Sequence, residues 1–367
     1  MFKPPRCPNP DCPAHHIETF DNPDFYIRKG SYHPRCRARP VPRFKCRACR
    51  RGFSRQTFRQ DYCDKKPHLN AKLFDLLASG LGLRQSGRVL HLSRRCTELK
   101  ARKIARHLGR LGANLLDQFP KGSSFQMDEM ETFENERRVC PLTLPVVIEQ
   151  ESMLIVAAAS APIRPSGRMS PKRREAIAAR HKAEGRRVDR SRRCLRRVLE
   201  RTSRYCKRLG AVELDTDEKT TYPGLARRAF GRKLRHRQYS SRLPRDTSNP
   251  LFPINLTNAM ARDLNGRLRR RSWLASKRGE FLDLQLHVFM TYRNFVRPRY
   301  NGEDESPAQL LRLVPKRMSP AELLSWRQDW GWFSIHPLSP RCVSIREVRA
   351  RERQKGLASH QLRRFAA

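Results

Sequence analysis

Two close pairs of cysteines govern what the start of this chain can become. Cys7 and Cys12 bracket Pro-Asn-Pro-Asp, and Cys46 and Cys49 bracket Arg-Ala. Two knuckles of this kind can bring four thiolates to the roughly 2.3 Å distance of a tetrahedral zinc site. The surrounding sequence is rich in Pro and Arg and has no helical period, which suits a small loop-rich unit over residues 1–66 that needs its metal to fold. Phe44 before the second pair and Phe53 after it give that pair the look of a zinc-ribbon knuckle. The first pair has the wider spacing and the loop between pairs is long. His15, His16, His33 and Cys36 lie inside that loop and stay open as substitute ligands. Cys63, Cys96, Cys140, Cys194, Cys206 and Cys342 have no such partners and read as small buried hydrophobes. Eleven cysteines, an odd number, argue against a disulfide framework.

Charge limits the partner. A formal net charge of +43 makes a surface that repels itself unless a polyanion is near, so double-stranded DNA is the expected partner. Arginine outnumbers lysine 61 to 17, and the planar guanidinium fork fits phosphate oxygens and base edges better than an ammonium does. No window approaches the roughly 20 apolar residues of a membrane span, and the N-terminus lacks a charged-then-apolar signal. A cytoplasmic, nucleoid-associated protein is expected, with no membrane and no small-molecule substrate.

From Leu69 the pattern turns helical. Leu69, Leu73, Leu76 and Leu77 recur at helical spacing, Gly80 and Gly82 interrupt, and a short helix follows at about 84–90. Ser93 can cap a third helix with Leu99, Ile104, Leu108, Leu111 and Leu115 on one side. Arg94, Arg95, Lys100, Arg102, Lys103 and Arg106 fall on the others. Three short helices with a basic last one resemble a helix-turn-helix domain over 67–120, and those six cations are its candidate DNA contacts.

Beyond Pro120 three short strand-like runs, 124–133, 142–149 and 153–159, read as an antiparallel meander. A basic helical stretch at 171–209 follows, then strands at 211–215 and 233–239 and helices near 255–271 and 276–296. Strand, strand, strand, helix, strand, then strand and helices is the order of an RNase H-like α/β core, here 121–298 with an arginine-rich helical insertion at about 165–210. Residues 299–367 read as a basic tail carrying an aromatic patch of Trp326, Trp330, Trp332 and Phe333.

Phosphodiester cleavage in such a core needs carboxylates from separate elements converging on hard divalent cations. Asp128 stands on the first strand in Met127-Asp128-Glu129. Asp217 follows a strand in Asp215-Thr216-Asp217, with Tyr222 five residues on. Glu280 opens an apolar helix. Asp215 rivals Asp217, because strand alternation keeps both on one face.

These fragments, with Asn255, Asn258, Arg271-Ser272 and Ser276-Lys277, resemble in their order the DDE catalytic domain of insertion-sequence transposases of the insertion-sequence-one-like group. With the cysteine knuckles and the three helices, the resemblance covers roughly residues 1–295. It implies Asp128, Asp217 and Glu280 as ligands of Mg2+ or Mn2+, and His287, two helical turns past Glu280, as a basic helper whose alternative is a packed histidine. It also implies a zinc-bearing front end, assembly with further copies on DNA, and cleavage followed by strand transfer. The extra segment at 171–209 and the long tail depart from the compact family pattern. A zinc-containing DNA-binding regulator, or a decayed transposase, is the rival reading.

Overall fold

The computed structural model describes residues 2–9, 11–16, 24–33, 39–116, 119, 124–137, 139–206, 210–244, 246–269 and 274–327. Cys36, Arg271, Ser272, Trp330, Trp332, Phe333 and Cys342 lie outside them, as does the side chain of His16. The chain divides into two compact units, one of residues 1–68 with 321–367 and one of residues 69–320.

The first unit holds a helical turn, α1 (Pro13–His16), and a three-stranded antiparallel sheet of β1 (Tyr26–Tyr32), β2 (Val41–Cys46) and β3 (Gly52–Ser54) in that order. Its core is aromatic: Phe25, Phe44, Phe53 and Phe58 are buried, and the rings of Phe44 and Phe53 stack at 5.8 Å. One small aromatic cluster buries little for such a unit, and a metal held by the four cysteines of the same cluster would add to its stability.

The second unit opens with α2 (Asn70–Ala78), α3 (Leu83–Val89) and α4 (Arg94–Leu116). Gly80, at φ +85°, turns the chain between the first two, and a Cβ there would also crowd the Leu264 carbonyl oxygen at 3.3 Å. Ser93 caps α4 through its hydroxyl, which accepts from the Cys96 amide. The buried stripe of α4 runs Thr97, Lys100, Ile104, Leu108, Leu111 and Leu115. That stripe corrects the sequence reading of this helix: Leu99 lies off it and is half exposed, and Lys100 lies on it.

A six-stranded mixed sheet follows, built from β4 (Ser124–Phe133), β5 (Pro141–Glu149), β6 (Ile155–Ala158), the short β7 (Ala161–Pro162), β8 (Val212–Asp217) and β9 (Leu234–Tyr239). The path is β6-β5-β4-β8-β9, with β7 added beside β5. β5 pairs antiparallel with both β4 and β6, whereas β8 and β9 run parallel to β4. β5 is buried along nearly its whole length, as a strand covered on both faces must be.

Between β7 and β8 lie α5 (Pro171–Glu184) and α6 (Ser191–Tyr205), separated at Gly185. The sequence reading treated this stretch as one basic insertion, and the structure divides it. α6 buries Cys194, Leu195, Val198, Leu199 and Thr202, one helical face hidden among arginines, and packs on β5, β6 and α7 (Tyr222–Phe230). α5 buries no residue at all. Its loop is fastened at the base, where the Ile163 amide donates to the Pro141 carbonyl. The Arg187 guanidinium donates to the Ile163 and Pro141 carbonyls and to the Glu134 carboxylate.

The other sheet face is covered by α8 (Phe252–Leu264) and α9 (Gly279–Thr291), which bring Ile254, Leu286 and Phe289 against Met130, Leu144 and Ile148. α9 also packs on α2 and α4. Its first amide, at Gly279, donates to the Glu134 carboxylate at 2.6 Å, so the acid gripped by Arg187 also caps this helix. Residues 299–320, read as the start of a tail, are folded onto this unit. α10 (Pro307–Leu310) is followed by buried Leu313 and Val314, and Arg299 donates to the Glu151 carbonyl and pairs with Glu303 at 2.6 Å. Among the described residues no helix is long and apolar enough to cross a membrane.

Candidate functional site

Four cysteines gather in the first unit. The sulfurs of Cys7, Cys12, Cys46 and Cys49 all lie within 4.8 Å of one another, with Cys7 to Cys49 at 3.5 Å and Cys12 to Cys46 at 3.7 Å. Bonds of 2.3 Å at tetrahedral angles put sulfurs about 3.8 Å apart, so the cluster could hold a metal such as zinc. The local backbone prepares it: the amides of Asn9, Ala14 and Arg51 point at the sulfurs of Cys7, Cys12 and Cys49. Burial pushes the Cys7 and Cys12 thiols up. Burial acts on Cys49 too, but the Arg51 amide and the neighbouring thiols outweigh it and bring Cys49 down to about 7. Of the substitute ligands left open by the sequence, His15 turns its Nδ1 to the Cys7 carbonyl oxygen at 2.7 Å, and neither it nor His33 joins the cluster.

The carboxylates lie in the second unit. β4 and β8 pair in parallel with Met127 opposite Thr216, and one further step of that register sets Asp128 beside Asp217. Asp128 accepts from the Glu129 amide at 2.7 Å through Oδ1 and from the Asn258 amide nitrogen at 2.8 Å through Oδ2. Burial raises its carboxyl above the ordinary range, and the charges of Asp217 and Glu129 add to the rise. The Oδ1 of Asn258 is buried without a partner. Asp215 is a different case: it is 2% exposed and held by Arg237 through bonds of 2.7 and 3.2 Å, so its charge is already spent.

Around this pair runs a polar frame that the sequence reading did not assign. Glu129 accepts from the Thr143 hydroxyl at 2.5 Å and from the Lys219 ammonium at 2.8 Å, and Tyr222 bonds to it as well. Burial and the carboxylates of Glu129, Asp217 and Asp128 push the Tyr222 hydroxyl far up, keeping it a donor. Lys219 stays 44% exposed and lies over the Tyr222 ring, so its charge stands beside the aspartates and still meets solvent.

No family model and no curated protein matches the chain. The site is therefore read from its own geometry, which corrects two sequence expectations. Glu280 does not join the aspartates: it is 57% exposed and paired with Arg278 at 3.5 Å. Among the described residues the four cysteines are the one group of three or more His, Cys, Asp or Glu side chains gathered closely enough to hold an ion, and Glu280 makes no third carboxylate with the aspartates. Asp283, the next acid along α9, is turned to Ser160, whose amide and hydroxyl both donate to its Oδ1 at 2.7 Å. His287 packs against α4, where a Cβ built on Gly109 would come within 3.0 Å of the ring. Burial, then the charge of Arg201, hold it down at about 4, so it is neutral at physiological pH and is a packed histidine rather than a basic helper.

The expected DNA-contacting cations separate as well. Arg94, Arg95 and Arg106 are exposed on α4, and Lys103 is half-buried. Lys100 is 1% exposed and donates to the Asn70 side-chain oxygen at 2.9 Å, because it sits one turn before Ile104 on the inward stripe. Arg102 is engaged within the fold, paired with Glu98 at 2.7 Å and set 4.3 Å over the Phe281 ring.

Proposed function

We propose that this chain is a DDE-type transposase that binds double-stranded DNA and cleaves and joins its strands at the Asp128–Asp217 pair. The observation that carries the reading is the pair itself. Two aspartates stand side by side on adjacent parallel strands, one raised by burial and further by the other's charge, with a buried carboxamide oxygen beside them that has no partner. Like charges set side by side, both half-buried, favour a bound cation. An all-oxygen donor set fits a hard one, so Asp128, Asp217 and Asn258 would hold magnesium or manganese. Such an ion, when bound, activates the attacking oxygen and steadies the leaving one. The order of elements, β4 to β7, then α5 and α6, β8, α7, β9 and finally α8 and α9, supports the RNase H-like core the resemblance implies.

The remaining roles fall to the chain's own groups. Lys219, held by Glu129, offers a cation to the scissile phosphate. Arg94, Arg95 and Arg106 offer the exposed face of α4 to the DNA backbone and bases. Water attacks in the first step and the freed 3′-hydroxyl in the second, each in line, with no covalent enzyme intermediate and no nucleophilic side chain. Copies of the chain would assemble on DNA to hold its ends.

Nicking of supercoiled plasmid in magnesium tests the reading. Asp128→Ala and Asp217→Ala should each lose at least about a hundredfold in rate while DNA binding persists; wild-type nicking by both would refute it. The exposed position of Glu280 favours one rival, a zinc-containing DNA-binding regulator descended from such an enzyme. Failure of the unaltered protein to nick in either magnesium or manganese would decide for that rival.

A further inference from the structure

The open face of the small sheet carries a groove that neither the cysteine cluster nor the aspartate pair uses. Its volume is about 790 Å³, and its lining includes Lys29, Arg43, Lys45 and Arg50 together with Tyr32 and Tyr62. None of the described lining residues is acidic. Strand alternation builds it: Phe44 turns into the aromatic core, so Arg43 and Lys45 on either side of it must turn out. Opposite Lys45 stands Gly52, whose lack of a side chain keeps the groove floor clear.

We propose that this groove binds a single strand of nucleic acid, holding one or two unpaired nucleotides with a base against Tyr62. Arg43 and Lys45 project about 7 Å apart along one strand, a spacing that reaches successive phosphates of one backbone rather than a lone anion. The volume falls in the range of small-ligand sites, roughly 300–1,000 Å³, and is too small to admit a duplex. Tyr62 is 41% exposed at the rim, an aromatic face left in solvent beside four cations, which is how sequence-tolerant single-strand sites are built. The inference deepens the DNA-binding half of the proposed function and is independent of the aspartate pair.

Cys63 lines the same groove and is exposed, so it reports occupancy directly. The experiment follows its alkylation in the full-length, zinc-loaded protein by peptide mass mapping, with and without a saturating oligo(dT) of about 12 nucleotides. Protection of Cys63 by the oligonucleotide is expected. Arg43→Ala with Lys45→Ala should lower the log-affinity against log-salt slope by about 1.4. Tyr62→Ser should weaken binding about tenfold and Tyr62→Phe should leave it unchanged. Zinc content, measured for each variant, guards against simple unfolding. An unprotected Cys63 at saturation, protection by duplex alone, or full affinity in Tyr62→Ser would overturn the inference. Nicking separates the two readings: an unprotected Cys63 in a protein that still nicks sinks the groove alone. Protection in a protein that never nicks sinks the catalytic reading alone.

Discussion

Replacing Asp128 by Asn probes the carboxylate pair with little disturbance to the fold. Burial, with Asp217 and Glu129 nearby, holds the Asp128 carboxyl above its ordinary value of 3.8 in the folded protein. A carboxyl whose pKa rises on folding binds its proton more tightly in the folded state. Its contribution to stability is complete below the ordinary value and is lost as pH climbs through the raised one. At neutral pH the ionised side chain therefore opposes folding, and Asp128→Asn removes that opposition. The hydrogen bonds can be kept: the introduced carbonyl accepts from the Glu129 amide as before. Asn258, whose Oδ1 has no partner, can turn over so that this oxygen accepts from the introduced amide nitrogen. In chelator the variant should thus be at least as stable as the parent. Magnesium then separates them. A ligand that binds only the folded state adds about 2.7 kcal/mol at a hundredfold excess over Kd, which for a unit of this size is about 5–10 °C in the unfolding midpoint. Scanning calorimetry with chelator, magnesium and manganese reads both effects. A parent whose midpoint ignores both cations, or a variant destabilised in chelator, would refute the reasoning.

Cys46→Ser removes one of four gathered thiolates and should release the metal and unfold the first unit, since a structural zinc contributes about 10–16 kcal/mol in so small a module. Metal analysis together with near-ultraviolet circular dichroism of the aromatic cluster checks this, and an unaltered spectrum in metal-free protein would count against it. Asn70→Ala should cost about 1.5–3 kcal/mol by stripping a partner from the buried Lys100 ammonium. Lys100→Met should leave DNA affinity unchanged, whereas Arg94→Ala with Arg106→Ala should weaken it, as filter binding would show. Because His287 is held down at about 4, stability of the second unit is present above the ordinary value of 6.5 and is lost as pH falls from there toward 4. The total is about 3 kcal/mol, and urea titrations across that window should find the loss flattened in His287→Gln.

How much of this was legible in the sequence varied with how local the signal was. The cysteine cluster was readable because each knuckle is a short-range pattern, and two of them leave few other arrangements. The strands β4, β5 and β6 were readable from their apolar runs, and so was the position of Asp128 on the first of them. α6 was misread because its buried face is five small or medium residues set among arginines, so composition masked the period. Lys100 was misassigned because charge alone was taken to mean exposure, while the stripe through Thr97, Ile104 and Leu108 already pointed it inward. Glu280 and His287 depended on how α9 sits against the sheet and α4. That is fixed by contacts far apart in sequence, such as Glu134 with Gly279 and Gly109 with His287, which no local window contains. Glu129 and Lys219, 90 residues apart, meet for the same reason.

The fastening of α5 at its base has an evolutionary consequence. Residues 164–186 leave the framework at Ile163 and return to it at Arg187, and both ends are bonded at the same strand end beside Pro141. Lengthening a loop closed in this way is cheap, about 0.6 kcal/mol for each doubling, and α5 contributes no buried residue whose loss the core would register. The position is thus a graft point. A lineage could exchange the appendage for one of another length or charge, changing the surface the protein presents there, without renegotiating the strands that carry Asp128 and Asp217.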